Sequence, residues 1–538
     1  MQEFDVVVVG GGASGLRAAI AAKRAGASVA LLSKSHPLRS NSAIAQGGIN
    51  APLGKDDSAE NFANDIMAAG DGLCERAVVQ SFVQDATKEV LWLEHMGAPF
   101  NRDKDGRIDR RPFGSNSRNR SCYADDRTGH IVLTVLHEQF QRLGIPSFEE
   151  WFVTSLAVDG EACVGVTALG LKSGKLDAFA ARAVILATGG FTRMYAPSTV
   201  SVGTTGDGQA LAFQSGARLM DMEMVQFHPT VFPKGQGLLI TEATLASGAQ
   251  IVNQQGAPAQ IDKSSPRGKL SLAISDAIQS GDGLFLDLKP IGKEKILSSF
   301  PQTNELVKSV AGLDSTKDLI PIRPVAHRPM GGIETKASGE TAIAGLFAVG
   351  ECAANGLNGA GRLAGNTLTE AVVFGKKVGE AAAAYAKSSA KKNFPAAKLA
   401  DEEKKLGALT AGNSVEDSLA KVHAELGRLM NEKVGLVRDA GGLQEALSGI
   451  KSLQERHQKI KVRNAGRIYN YELTTHLEVG SMLTLAEVVA RSAQARSESR
   501  GGHNRKDCPT TDNVNWKSHT IIQLAQGSVQ IDKKPVAN

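Results

Sequence analysis

The run Val6-Val7-Val8-Val9-Gly10-Gly11-Gly12-Ala13-Ser14-Gly15 decides the fold. Four β-branched residues in succession read as a short strand buried on both faces, as in a parallel sheet. Leu16 to Ala25 is Ala-rich and reads as a helix closed by Gly26, and Ser28 to Leu32 reads as a second strand. The whole is a βαβ unit of about thirty residues, the expected context for a dinucleotide site. Gly10 permits the tight turn and Gly12 lets the backbone approach a pyrophosphate. Gly15 allows close helix–strand packing, and the helix N-terminus supplies free N–H donors. The second strand ends Leu32-Ser33-Lys34, without the acidic residue that would hold the ribose hydroxyls of NAD.

Working outward, three later segments favour FAD over NAD. Ala187-Thr188-Gly189-Gly190 closes a strand with a glycine pair. Thr205-Gly206-Asp207-Gly208-Gln209 opens a helix with Asp207 in its first turn. Gly350-Glu351 ends a strand before a Gly-rich turn, and the Glu351 carboxylate suits a sugar hydroxyl. Between these, Asn41 to Ala51 is Gly-rich loop, residues 58 to 97 read as mostly helical, and Thr128 to Leu143 as a helix. Phe152 to Val166 and Ala178 to Leu186 alternate like strands. Residues 225 to 327 have a different texture, richer in Gln, Pro and Gly, and read as an insertion. Asn366 to Ala386 is a long Ala/Val-rich helix. A Lys/Ala/Ser-rich boundary near 387 to 400 precedes helical periodicity over 401 to 497, and the last forty residues read as polar and irregular. No internal repeat is visible.

The predicted class is therefore α/β: a doubly wound, Rossmann-like FAD-binding domain (1–224 and 328–390) with an inserted α+β capping domain (225–327). A helical domain (400–500) and a C-terminal tail (501–538) follow. Of 538 residues 57 are glycine, in keeping with close backbone–ligand approaches; the net charge of +5 sits in no single tract and points to no nucleic acid, and none is expected as a partner. Cys74, Cys122, Cys163, Cys352 and Cys508 are scattered without a CxxC pair. No metal site, disulfide framework or iron–sulfur cluster is expected, and a reducing compartment fits best. The N-terminus lacks a basic n-region and a cleavage pattern, and no run of eighteen apolar residues occurs. The expectation is a cytoplasmic chain with no direct membrane span, held at a membrane only through partners.

Eight further segments carry a resemblance: Ala45-Gln46-Gly47-Gly48, Arg111-Pro112-Phe113-Gly114, Ala124 to His130, Gln226-Phe227-His228-Pro229-Thr230, Leu239-Ile240-Thr241-Glu242, His327 to Gly332, Gly361-Arg362-Leu363-Ala364-Gly365-Asn366 and Glu498 to His503. In register from Asp5 to His519, they resemble the flavoprotein subunit of succinate dehydrogenase and fumarate reductase, a family that includes L-aspartate oxidase. The resemblance implies hydride transfer at flavin N5 between FAD and a small dicarboxylate, succinate or fumarate. By match to the motifs, His228, Thr241, His327 and Arg362 bind the carboxylates. A C4 dianion needs cations and donors at both ends, and a guanidinium grips a carboxylate with two parallel N–H bonds.

Arg267 matches the family's proton-donating arginine, with Glu242 beside it. Arginine is a poor acid at its ordinary pKa, so that role needs a site that disfavours the charge. For the cofactor the resemblance and the βαβ reading together mark Gly10, Gly12, Ala13, Ser14, Gly15, Ser33, Lys34, Asn41, Ser42, Gln46, Gly47, Gly48, Ala187, Thr188, Gly189, Asp207, Glu351, Arg362, Asn366 and Leu368. It also implies an iron–sulfur subunit and a membrane anchor as partners, on the inner face of the cytoplasmic membrane.

Three departures modify the expectation. The family's flavin-linking histidine stands four residues before the Ala-Gln-Gly-Gly alanine, where this chain has Asn41, so FAD is expected to bind noncovalently and fumarate reduction to be favoured. The relay arginine that commonly follows Thr-Glu is replaced by Leu245. Gly268 stands where an aspartate is common, and Gly359-Ala360-Gly361 where an asparagine usually precedes the arginine. Two other readings remain: an L-aspartate oxidase, against which Arg111-Pro112-Phe113-Gly114 speaks, and a non-catalytic flavoprotein kept for assembly, to which Leu245 is the pointer.

Overall fold

The computed structural model describes residues 1–234, 237–281, 283–410 and 417–537. Its centre is the sheet that the valine run begins. Gln2–Val9 pairs in parallel with Val29–Ser33 on one side and with Leu176–Leu186 on the other. Ser147–Glu149 adds beyond Val29–Ser33, and Leu346–Ala348 pairs with the end of Leu176–Leu186. Val6, Val7 and Val8 are fully buried, as a strand covered on both faces requires. The helix Ala13–Arg24 returns over this sheet and packs on the long helix Asn366–Ser388. Glycines set that crossing: a Cβ on Gly379 would lie 2.2 Å from the Ala18 carbonyl oxygen.

The stretch Phe152 to Val166, read as one strand, is two. Trp151–Asp159 and Ala162–Gly170 form an antiparallel hairpin that turns at Gly160, whose φ of +60° suits a tight reversal. Likewise 401 to 497 is broken into Ala396–Thr410, Leu419–Lys433, Ala440–Lys459 and Tyr471–Ala495.

The insertion has two stems. Val225–Phe232 and Arg323–Pro329 run antiparallel, with His228 opposite Val325 and a register shift between Gln226 and Phe227. They bring residues separated by a hundred positions onto one ribbon. Beyond them the insertion has its own apolar core around Ile240, Leu270, Ile274, Leu286 and Phe300, to which Phe113 and Ala364 of the larger domain also belong.

The last forty residues are not irregular. Ser518–Ala525 and Ser528–Pro535 form a hairpin, and its first strand pairs with Leu219–Met220 in a five-stranded sheet. Gln526 and Gly527 both have positive φ, the two-residue turn that matches strand twist. The outer strand is mostly exposed and charged, so it carries little of the apolar alternation by which strands are read.

Candidate active site

A cleft of about 690 Å³ runs along the glycine turn. Gly10, Gly12, Ala13, Ser14, Ser33, Lys34, Asn41, Ser42, Ala187, Thr188, Gly189, Asp207, Glu351 and Leu368 line it. A Cβ on Gly10 would lie 2.3 Å from the Ala187 carbonyl oxygen, so only glycine lets the two strand ends meet there. Gly12 caps the helix Ala13–Arg24 without any side-chain acceptor. Its first turn holds no acidic residue, which leaves its positive end for an anion. Ser42 Oγ accepts from the Ala13 N–H at 3.1 Å. Gly15 is off the cleft wall. Its missing side chain makes room for the Gly10 carbonyl, which a Cβ would meet at 1.9 Å. Asn366 is also behind the wall, fully buried, with its Oδ1 accepting from Asn50 Nδ2.

Two polar positions on the cleft wall also have protein partners. Lys34 Nζ donates to Thr205, Asp207 and Glu478 at 2.6–2.8 Å, so Lys34 and Asp207 face each other in one network. Burial alone would lower the Lys34 pKa, but Asp207 and Glu478 outweigh it and raise it. Glu351 is ion-paired with Arg328 through Oε2, while its buried Oε1 has no protein partner. One carboxylate oxygen, not both, remains for a ligand.

At Asn41, Ala45, Arg328, Thr367 and Leu368 the cleft meets a second cavity of about 290 Å³. Gln46, Gly47 and Gly48 form one wall of it, and His228, Thr241, His327 and Arg267 the other. Gly47 is required by the Phe113 ring, which a Cβ would meet at 2.1 Å. The two imidazole centroids lie 5.1 Å apart, edge to face. Both histidines are driven toward the neutral form. Burial pushes His228 down to about 3 against the pull of Glu242, and burial with Arg328 pushes His327 well below its ordinary value. His228 Nδ1 is buried without a hydrogen-bond partner.

Arg267 begins the helix Arg267–Gln279 and reaches back between cavities. Its Nε–H donates to Glu242 Oε2 at 2.8 Å and Nη1 to Gln226 Oε1 at 2.8 Å. Burial would raise the Glu242 carboxyl, but Arg267 and His228 hold it below the usual carboxylate range. On the far side of Arg267 is a third cavity of about 500 Å³, lined by Glu242, Leu245, Arg362 and Arg500. Its rim includes the exposed Lys263 and Lys269.

Of the four expected carboxylate binders, three therefore share the second cavity with Arg267, which also lines the third. Arg362 lines the neighbouring one. Its Nη2 donates to the Pro329 carbonyl at 2.7 Å and its Nη1 to Thr367 Oγ1 at 3.0 Å, while Nε is buried and unpartnered. Gln226, Arg328 and Glu478 are polar partners that the sequence reading did not assign. Gln226 and Arg328 stand within quoted motifs, so proximity to His228 and His327 was their signal; Glu478, far off in the helical domain, had none.

The dinucleotide requirements are met by these residues: a glycine-lined approach, a helix N-terminus without an acidic residue, and an orphaned buried carboxylate oxygen at Glu351. Residues 5–368 match the family model of an FAD binding domain, and residues 423–538 that of the fumarate reductase flavoprotein C-terminus. The fumarate reductase flavoprotein subunit of Escherichia coli is 38% identical, over 100% of this chain and 94% of that one. The succinate dehydrogenase flavoprotein subunit of Rickettsia conorii is 35% identical, over 99% and 95%. A solved quinol–fumarate reductase with menaquinol superposes with a TM-score of 0.96 at 36% identity, covering 100% of this chain and 98% of that chain.

Proposed function

Because the chain belongs to the flavoprotein family of fumarate reductases and succinate dehydrogenases, we propose that it interconverts fumarate and succinate as a catalytic subunit. The observation that supports this most is the cavity shared by His228, His327, Thr241 and Arg267 against the Gln46-Gly47-Gly48 wall. Donors line it from two stems of the insertion, and it opens onto the cofactor cleft. FAD bound in that cleft supplies the hydride.

The protein's own residues do the rest. The unpartnered His228 Nδ1 and the Thr241 hydroxyl take one end of the dianion. Arg362, with a free Nε–H, supplies cationic attraction from the adjoining cavity. Arg267 gives a proton to the olefinic carbon that does not receive hydride, so that fumarate gains one hydride and one proton. Glu242, hydrogen-bonded to Arg267, returns the proton, and the cavity beyond it is the route by which water reaches Glu242. Leu245 lines that same cavity, so no side-chain relay is needed at its position.

With Asn41 in place of a flavin-linking histidine, FAD is held without a covalent bond, and fumarate reduction is the favoured direction. Asn41 Oδ1 accepts instead from the Ser201 N–H at 3.0 Å, tying down a loop on the cleft wall. Electrons arrive through an iron–sulfur partner and a membrane anchor, which hold the chain at the inner membrane face. Among the described residues no helix is long and apolar enough to cross a membrane.

The test is anaerobic turnover of fumarate with a reduced viologen, and of succinate with an oxidised dye. Arg267→Ala is expected to lower either rate by about 10³-fold or more while FAD content is unchanged. Near-normal turnover in that variant rejects the assignment. Acid precipitation is expected to leave the flavin in the supernatant; colour retained in the pellet rejects noncovalent binding.

A further inference from the structure

The loop that precedes the helix Asp207–Gln214 touches the substrate cavity at Thr199 and Val200, which no motif marks. Thr199 lines that cavity and is itself buried. Its backbone N–H donates to the Ala326 carbonyl at 3.1 Å, and Ser198 bridges to Ala326. This fixes the loop against the strand Arg323–Pro329 one residue before His327. Thr199 Oγ1 then lies 2.6 Å from His327 Nδ1. The backbone of His327 is held as well, its carbonyl accepting from Thr192 Oγ1 at 2.9 Å.

A neutral imidazole has one N–H, and a threonine hydroxyl has one hydrogen, so the pair admits two arrangements. In the first, Thr199 donates to Nδ1, and Nε2 carries the hydrogen. In the second, Nδ1 donates to Thr199, whose hydrogen must find another acceptor. Among the described residues the alternative acceptor within reach is the Ala326 carbonyl at 3.5 Å, at the limit of a hydrogen bond. The first arrangement is the better satisfied. It also leaves Nε2, which has no partner among the described residues, as a donor on a cavity wall beside Arg267 and Arg328. The second would present a lone pair to an incoming carboxylate.

We propose that the Thr199 hydroxyl donates to His327 Nδ1 and so fixes the Nε2–H tautomer, making Thr199 a positioning residue for dicarboxylate binding. The inference rests on the functional reading above. It assigns recognition of one carboxylate to a neutral donor whose orientation is set by a residue 128 positions away. Charge then stays on the substrate and on the arginines.

Thr199→Val removes the hydroxyl and keeps the shape. A saturating dicarboxylate such as malonate perturbs the flavin absorption band, and this gives a dissociation constant independent of turnover. Thr199→Val is expected to weaken malonate binding and raise the fumarate KM by about tenfold, with a smaller change in kcat and none in FAD content. Thr199→Ser is expected to restore wild-type values. On a His327→Ala background, Thr199→Val is expected to add nothing, because the hydroxyl acts through the imidazole. Unchanged binding in Thr199→Val, failure of Thr199→Ser to restore it, or an additive loss in the double variant each overturns the proposal. If the wild type itself gives no malonate signal and no fumarate turnover, the functional reading falls and the inference with it. If the wild type responds and Thr199→Val matches it, the inference falls alone.

Discussion

His228 and His519 are both removed from solvent, and their protons go opposite ways. His228 faces Glu242, but burial and the guanidinium groups of Arg267 and Arg328 push it down to about 3. His519 is also buried, yet it sits between two carboxylates, Asp221 at 2.6 Å and Glu75 at 3.2 Å, and is raised to about 9. The neighbouring arginines repeat the contrast. Arg496 gives all its N–H groups away, to Glu223, Glu498, Thr520 and the carbonyls of Trp516 and Ser518. Arg362 makes two hydrogen bonds and leaves Nε without a partner. The same side chains thus build a clamp where they are satisfied by protein and a binding site where they are not. Burial is common to both, so burial alone distinguishes neither.

The largest test of this contrast is His519→Ala. It strands Asp221 beside Glu75 in a dry setting, and removal of one partner from a buried ion pair costs about 3–5 kcal/mol. A fall of several degrees in the thermal midpoint is expected, with FAD still bound. An unchanged midpoint would dissolve the distinction between clamp and site. Arg362→Met should do the reverse. Dicarboxylate affinity is expected to drop by at least about tenfold, from the loss of a charge-assisted donor. The thermal midpoint should hold or rise, since a poorly satisfied buried cation has been removed. Loss of stability matching that of His519→Ala would place Arg362 with the clamp.

The pH profile is the smallest effect and the sharpest. His519 is raised above its unfolded value near 6.5, so its stabilisation is complete below that pH and is lost as pH rises through about 9. His228 is depressed, so the stability tied to its neutral form is complete above about 6.5 and is lost as pH falls below that value toward about 3. Denaturant midpoints measured from pH 5 to 10 should therefore fall on both sides of neutrality. His519→Gln should flatten the alkaline limb and His228→Gln the acid limb. One substitution flattening both limbs would show that the two titrations are not separable.

How far the sequence carries the argument varies along the chain. The βαβ unit is legible because four valines and three glycines each have one physical use, and the buried strand and bare helix end follow from them. The stems of the insertion are less so. His228 and His327 stand out as motif residues, but their meeting depends on a ribbon pairing with a register shift, which spacing does not disclose. The terminal hairpin is hidden because one strand shows charge on both faces and its turn is Gln526-Gly527, a weaker signal than Asn-Gly. Thr199 is hidden for another reason. Threonine is ordinary in loops, and its importance comes entirely from what lies 2.6 Å away.

Asp221 meets His519 across 298 positions, and the strand bearing His228 begins four residues after Asp221. A ribosome must release nearly the whole polypeptide before Asp221, just ahead of that strand, meets its final partner. The glycine-rich wall of the dinucleotide cleft is synthesised first, whereas the wall that carries Tyr471, Thr474 and Glu478 comes late in translation. Nascent chains cut short before residue 471 would thus carry the glycine turn without the opposite wall that completes its cleft.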